Sequence, residues 1–172
     1  MSGFPIFIGL TTDAYTETQY TTDLTIPRRG QWYQDPANGK KWVFLENEGT
    51  ASLAAQLAAR ATTTDKATFK CRTMSTTITD NELLFAGVRV TGATAVADDE
   101  YGWFQIGGSC TMTASSDTTT AELGVVASNQ SAGQAEAAAD SAAGIRGTFG
   151  TAETTTASAD VVVSLFYNVY GL

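Results

Sequence analysis

Few side chains in this chain can do chemistry, and their spacing suits almost no reaction. It contains no histidine, which removes the commonest general base at neutral pH and the commonest zinc ligand together. Catalysis would have to come from a cysteine nucleophile, a Ser-Lys pair or paired carboxylates. Cys110 ends "GGSC", which lacks the G-x-S-x-G nucleophile elbow. Glu46 and Glu48 have the two-residue spacing of an exposed strand face. Asp98, Asp99 and Glu100 could offer oxygens to a hard cation, but the D-x-D-x-D-G pattern of a calcium loop is absent and the triplet reads as a solvated loop. Cys71 and Cys110 lie 39 positions apart without C-x-x-C spacing, so they form either a disulfide between neighbouring strands or two buried reduced thiols. "NQS" at Asn129 matches a glycosylation sequon, which means little without an export signal. No catalytic residue, cofactor or metal is expected. The remaining chemical option is adhesive: Trp32, Tyr33, Trp42 and Trp103, if exposed, would make flat faces for stacking sugars, as in a carbohydrate-binding or tail-fibre module.

The elements that must position these groups are strands. At 172 residues the chain suits one domain with appendages. Only 16% of residues are charged, and Thr, Ser and Ala fill the deficit. Runs such as "TTDAYTETQYTTDLT" and "TAETTTASAD" favour β-structure, because β-branching restricts χ1 against a preceding helical turn. Charge is lopsided: residues 1–89 hold nine Lys and Arg against nine acids, a balance of zero, whereas residues 90–172 hold Arg146 alone against nine acids, a balance of −8. Such a surface repels phosphate backbones and argues against direct nucleic-acid binding. "MSGFPIFIGL" is apolar, but it has no basic n-region and is interrupted by Pro5 and Gly9. No later stretch approaches the length of a membrane span, so neither secretion nor membrane insertion is expected.

Residues 1–30 have the composition of an extended arm: an apolar tip of Phe4, Ile6, Phe7 and Ile8, a Thr-rich stretch bearing Tyr15 and Tyr20, and "IPRRG" with Arg28 and Arg29 at the boundary. An arm with large apolar residues at its far end should dock, either across its own domain or onto a partner. From residue 31 to 172 the pattern is strand and turn. "QWYQDPANGKKWVFLEN" is a hairpin, with Pro36 presetting one turn dihedral and Asn38-Gly39 supplying positive φ. "SLAAQLAARA" is consistent with one or two helical turns. The further strands predicted are "KATFKCRTM", "ELLFAGVRVTG", "YGWFQIGGSCTMTA", "TAELGVVAS" and "ADVVVSLFYNVYGL", while "SAGQAEAAADSAAGIRG" leans to loosely packed strand and loop. The fold class expected is all-β: an antiparallel sandwich or barrel with an extended N-terminal arm and at most one short helix. Alternation in "YGWFQIGGSCTMT" puts Phe104, Ile106, Cys110 and Met112 on a core face, leaving Trp103 and Gln105 for an exposed or interfacial side.

Several of these segments also resemble the capsid decoration, or cement, proteins of tailed bacteriophages. The similarity runs from about Lys40 to Gly147, through "KKWVFLENEGTASLAAQLA", "GVRVTGATAVADD" (Gly87 to Asp99), "YGWFQIGG" leading into "CTMTA", then "GVVAS" and "SAGQAEAA". The resemblance implies a β-rich, often trimeric homo-oligomer. Such a protein is made in the bacterial cytoplasm, binds the outer surface of the virion shell and bridges neighbouring major capsid subunits. It implies no catalytic residues. Phe4, Ile6, Phe7, Ile8, Tyr15, Tyr20, Arg28, Arg29 and Trp103 are the candidate capsid or subunit contacts.

Overall fold

The hairpin predicted from "DPANG" anchors the architecture. In a computed structural model that describes residues 10–76, 85–115, 124–128, 131–137, 148–154 and 160–166, β1 (Trp32–Gln34) runs antiparallel to β2 (Lys41–Asn47), with Tyr33 opposite Trp42. The Asp35 carboxylate accepts the Ala37 N–H at 2.8 Å and the Asn38 amide oxygen accepts the Lys40 N–H at 3.0 Å. These two side-chain turns fix the loop.

From β2 the chain builds a closed five-stranded barrel. Along one edge of β2 lies the long β6 (Glu100–Thr113), antiparallel from Lys41–Gly107 to Asn47–Glu100. The other edge is shared, by β1 at the start of β2 and by β4 (Lys70–Thr73) at its end. The antiparallel strand β3 (Ala58–Arg60) connects β4 to β5 (Phe85–Arg89), and β5 pairs with β6 to complete the circuit β2-β4-β3-β5-β6. The all-β expectation holds, with one correction to its antiparallel character: β2 and β4 pair in parallel, Glu46 against Lys70. The chain between them, residues 48–69, is long enough to make the crossover a parallel pair requires.

The helix content also differs from expectation. Among the described residues two short helices form, α1 (Glu17–Thr22) and α2 (Thr63–Thr68), each opened by a threonine capping box, Thr16 with Gln19 and Thr62 with Asp65. The turns expected in "SLAAQLAARA" are not helical: Leu53 makes an isolated bridge to Val96 and Ala58–Arg60 is β3. Ala58, Ala59 and Ala61 are buried there because methyl-sized side chains let three strands close tightly. Among the described residues no helix is long and apolar enough to cross a membrane.

β6 serves two structures. Its first half belongs to the barrel; its second half, from Gly108, pairs with β10 (Asp160–Leu165), which lies between β6 and β9 (Gly150–Ala152). The strand changes course at Gly108, whose φ of +77° favours glycine and whose absent Cβ would stand 3.1 Å from the Lys40 Cα. β9 continues to β7 (Gly124–Ala127) and β8 (Ala135–Ala137). β8 then returns to the end of β6 at a parallel bridge between Ala135 and Ala114, so this sheet too curls back on itself. Met112, Val125, Val161, Val163 and Phe149 fill it, and Phe149 stacks on Phe85 of the first barrel at 4.3 Å, making one continuous core across the junction. Asn129, residues 138–147 with "ADSAAGIRG", and the chain beyond Phe166 lie outside the described residues.

Candidate functional site

Alternation along β2 and β6 gives the first barrel two apolar faces. Val43, Leu45, Phe104 and Ile106 point inward, while Trp42, Phe44, Tyr101 and Trp103 form an aromatic face on the outside. A lone barrel would leave that face wet, at about 1.5–3 kcal/mol for each large side chain exposed. The N-terminal segment covers it. Residues 10–30, hereafter the strap, cross the outside of the barrel, and Leu10, Tyr15, Tyr20 and Ile26 pack onto the aromatic residues.

Backbone, aromatic and charged contacts each fasten the strap. Tyr15 and Tyr101 exchange both backbone hydrogen bonds at 2.9 Å. Tyr20 stacks on Tyr101 with centroids 4.0 Å apart and planes at 8°. The Tyr101 hydroxyl hydrogen-bonds the Glu17 carboxylate. Burial, and then that bond to a carboxylate, push the phenol well above its ordinary value, so it stays protonated. Arg28 donates to the Tyr20 carbonyl at 2.7 Å and lies 5.0 Å over the Tyr20 ring. Arg29 pairs with Glu46, which also receives Lys70 at 3.1 Å, and Lys70 reaches Glu48 at 3.2 Å.

The end of the barrel is closed by Arg89, whose side chain is fully buried. Its guanidinium donates to the carbonyls of Thr12 (2.8 Å), Asp13 (3.0 Å), Thr94 (2.9 Å) and Trp103 (2.9 Å). It thereby ties the strap, the loop after β5 and β6 to one cation. Gly102 makes room for it: a Cβ there would stand 2.8 Å from Nη1. Among the described residues Arg89 makes no ion pair, and burial lowers its pKa to about 10, so it remains charged at neutral pH.

The structure therefore gathers five of the candidate contact residues, Tyr15, Tyr20, Arg28, Arg29 and Trp103, into one cluster on their own domain. Phe4, Ile6, Phe7 and Ile8 lie outside the described residues. Trp103 and Gln105 are corrected from an exposed or interfacial side to buried positions: the strap packs over Trp103, and Gln105 turns its amide onto the Gly107 and Ser109 carbonyls of its own strand. Glu46 is likewise buried rather than on an exposed strand face, held between two cations. The strap itself is not extended throughout, since α1 occupies Glu17–Thr22. The sugar-stacking platform loses Trp42 and Trp103 to the core, leaving Trp32, 54% exposed, beside half-buried Tyr33. Cys71 and Cys110 are buried and unpaired. Among the described residues no group of three His, Cys, Asp or Glu is placed to hold a metal ion.

Arg89 and Tyr101 are the organising residues that sequence reasoning missed. A lone arginine in an apolar strand, "FAGVRV", was the available signal, since a charge at such a position must be matched by polar groups on burial. No protein-family model matches the chain, and no curated protein matches it. Among solved structures, the head fiber gp8.5 N base of bacteriophage phi29 is similar over 73% of this chain and 94% of that one, with a TM-score of 0.47 and 10% sequence identity.

Proposed function

We propose that this chain is a structural protein of a tailed-phage virion: a decoration protein that sits on the outside of the head, contacts the major capsid protein and works by adhesion rather than catalysis. The observation that carries the reading is the use made of the strap. Its tyrosines and arginines are committed to the chain's own barrel, so the stretch that precedes it, with Phe4, Ile6, Phe7 and Ile8, is what remains of the arm for a partner. Leu24 (83% exposed) and Phe166 (63% exposed) add apolar contact points. The resemblance of segments between Lys40 and Gly147 to cement proteins points to the same role. So does the excess of acid in residues 90–172, which on an outward surface keeps particles apart. Weak contacts of this kind hold a shell when symmetry repeats them, and a trimer supplies three at once.

The test uses purified full-length chain and expanded phage heads lacking decoration. Saturable binding at a fixed ratio to the major capsid protein, with greater resistance of the heads to heat or chelator, is the expected result. Deleting residues 1–9 should weaken binding at least tenfold while leaving the melting temperature of the isolated protein in place. No binding by the intact chain refutes the role, and unchanged binding by the truncated chain refutes the assignment of the tip.

A further inference from the structure

Where β6 passes from the barrel to the second sheet, a cleft of about 310 Å3 opens at the junction, with Trp42, Gln105, Val90, Val162, Thr91 and Lys40 on its walls. Its volume is at the small end for ligand sites. Two of its polar groups are buried and have capacity to spare. Among the described residues the Trp42 indole N–H has no hydrogen-bond partner, although the residue is 94% buried, being 6% exposed. Gln105 spends its amide nitrogen on the carbonyls of Gly107 (3.1 Å) and Ser109 (2.9 Å). That fixes the orientation of the amide and leaves its oxygen available to accept. The indole is itself held in place by Tyr33, stacked on it at 5.7 Å.

The rim carries one charge of each sign. Lys40 is itself on the wall. Ser109 on the wall donates to the Glu153 carboxylate at 3.1 Å. One positive and one negative group at one mouth favour a neutral ligand. That ligand must accept from an indole N–H and donate to an amide oxygen, which a hydroxyl does at once, and it must lay carbon against Val90 and Val162. Hydroxyls around an apolar ring face meet all three demands.

We propose that the cleft between the barrel and the second sheet binds a single pyranose ring, either as a free sugar or as the end of a glycan chain. The site is distinct from the surface pair Trp32 and Tyr33, and it stands or falls separately from the virion role. The test titrates 15N-labelled full-length protein with methyl glycosides of glucose, galactose and N-acetylglucosamine, and with an oligosaccharide of each, while following the Trp42 indole resonance. Saturable movement of that resonance by at least one sugar, in the millimolar range, is expected. Equal affinity for glycoside and oligosaccharide means that a free ring suffices, whereas tighter binding of the oligosaccharide assigns the cleft to a chain end. Thr91 is exposed at the mouth, so Thr91→Trp should block entry and weaken binding at least tenfold with the melting temperature unchanged. A Trp42 resonance unmoved by every sugar at about 100 mM, where even weak contacts register, overturns the proposal. So does binding that Thr91→Trp leaves intact.

Discussion

Replacing Arg89 by methionine tests whether one cation closes the first barrel. The substitution keeps most of the side-chain length but removes every donor. Of the four carbonyls served, that of Thr12 keeps the Thr94 N–H at 2.9 Å, whereas those of Asp13, Thr94 and Trp103 lose the guanidinium. At about 2 kcal/mol for each buried acceptor left short, the loss is roughly 6 kcal/mol. Against this, the variant no longer dehydrates a charge, and the fall in the Arg89 pKa from 12.5 to about 10 corresponds to about 3 kcal/mol. The balance is a destabilisation of about 3 kcal/mol. With a urea slope of about 2 kcal/mol per molar, the midpoint should fall by about 1.5 M. Tryptophan fluorescence reports the transition, since Trp42 and Trp103 lie beneath the strap. Amide exchange at Thr94 and Tyr15 should quicken more than at Val163, because the first two amides bond across the strap and Val163 lies in the second sheet. Gly102→Ala should mimic the effect by displacing the guanidinium from outside. An Arg89→Met protein within about 1 kcal/mol of the parent, with unchanged exchange at Thr94, refutes the reasoning.

Two further outcomes concern pH. Burial alone would raise the Asp65 pKa, but hydrogen bonds from Arg72, at 3.0 Å to each carboxylate oxygen, and from Thr62 outweigh it and hold the group below 3.8. Its contribution is therefore present above that value and lost as pH falls through the lower folded one. Asp65→Asn should flatten the acid limb of a stability-against-pH curve measured by urea denaturation. At the alkaline end, burial pushes the Cys110 thiol up to about 12 from 9.0. The folded protein thus keeps a proton the unfolded chain gives up. Stability should fall by about 1.4 kcal/mol per pH unit across that window on account of this group, and Cys110→Ala should remove that slope.

Much of the fold can be read from local signals. The hairpin follows from Pro36 and Asn38-Gly39, and the inward stripe of β6 follows from alternation. What could not be read is which strand faces are covered by chain from elsewhere. Trp103 and Phe104 are equally buried, yet one sits inside the barrel and the other beneath a segment some ninety positions away, and period-two alternation cannot tell the two apart. Both helices had legible starts in Thr16-x-x-Gln19 and Thr62-x-x-Asp65, hidden by the surrounding threonine and by a preference for strand. The alanines of "SLAAQLAARA" suggested helix by propensity, but β3 is held between β4 and β5, and tertiary pairing prevails there. The parallel contact of β2 and β4 depends on a crossover that no short window of sequence contains.

The continuous course of β6 from the barrel into the second sheet has a mechanical consequence. A lateral tug that tries to slide the barrel past the second sheet along this strand is borne by covalent backbone, and it loads the flanking ladders with β2 and β10 in shear, many bonds at once rather than one after another. The barrel and the second sheet should therefore transmit force as a single beam, with an elbow at Gly108.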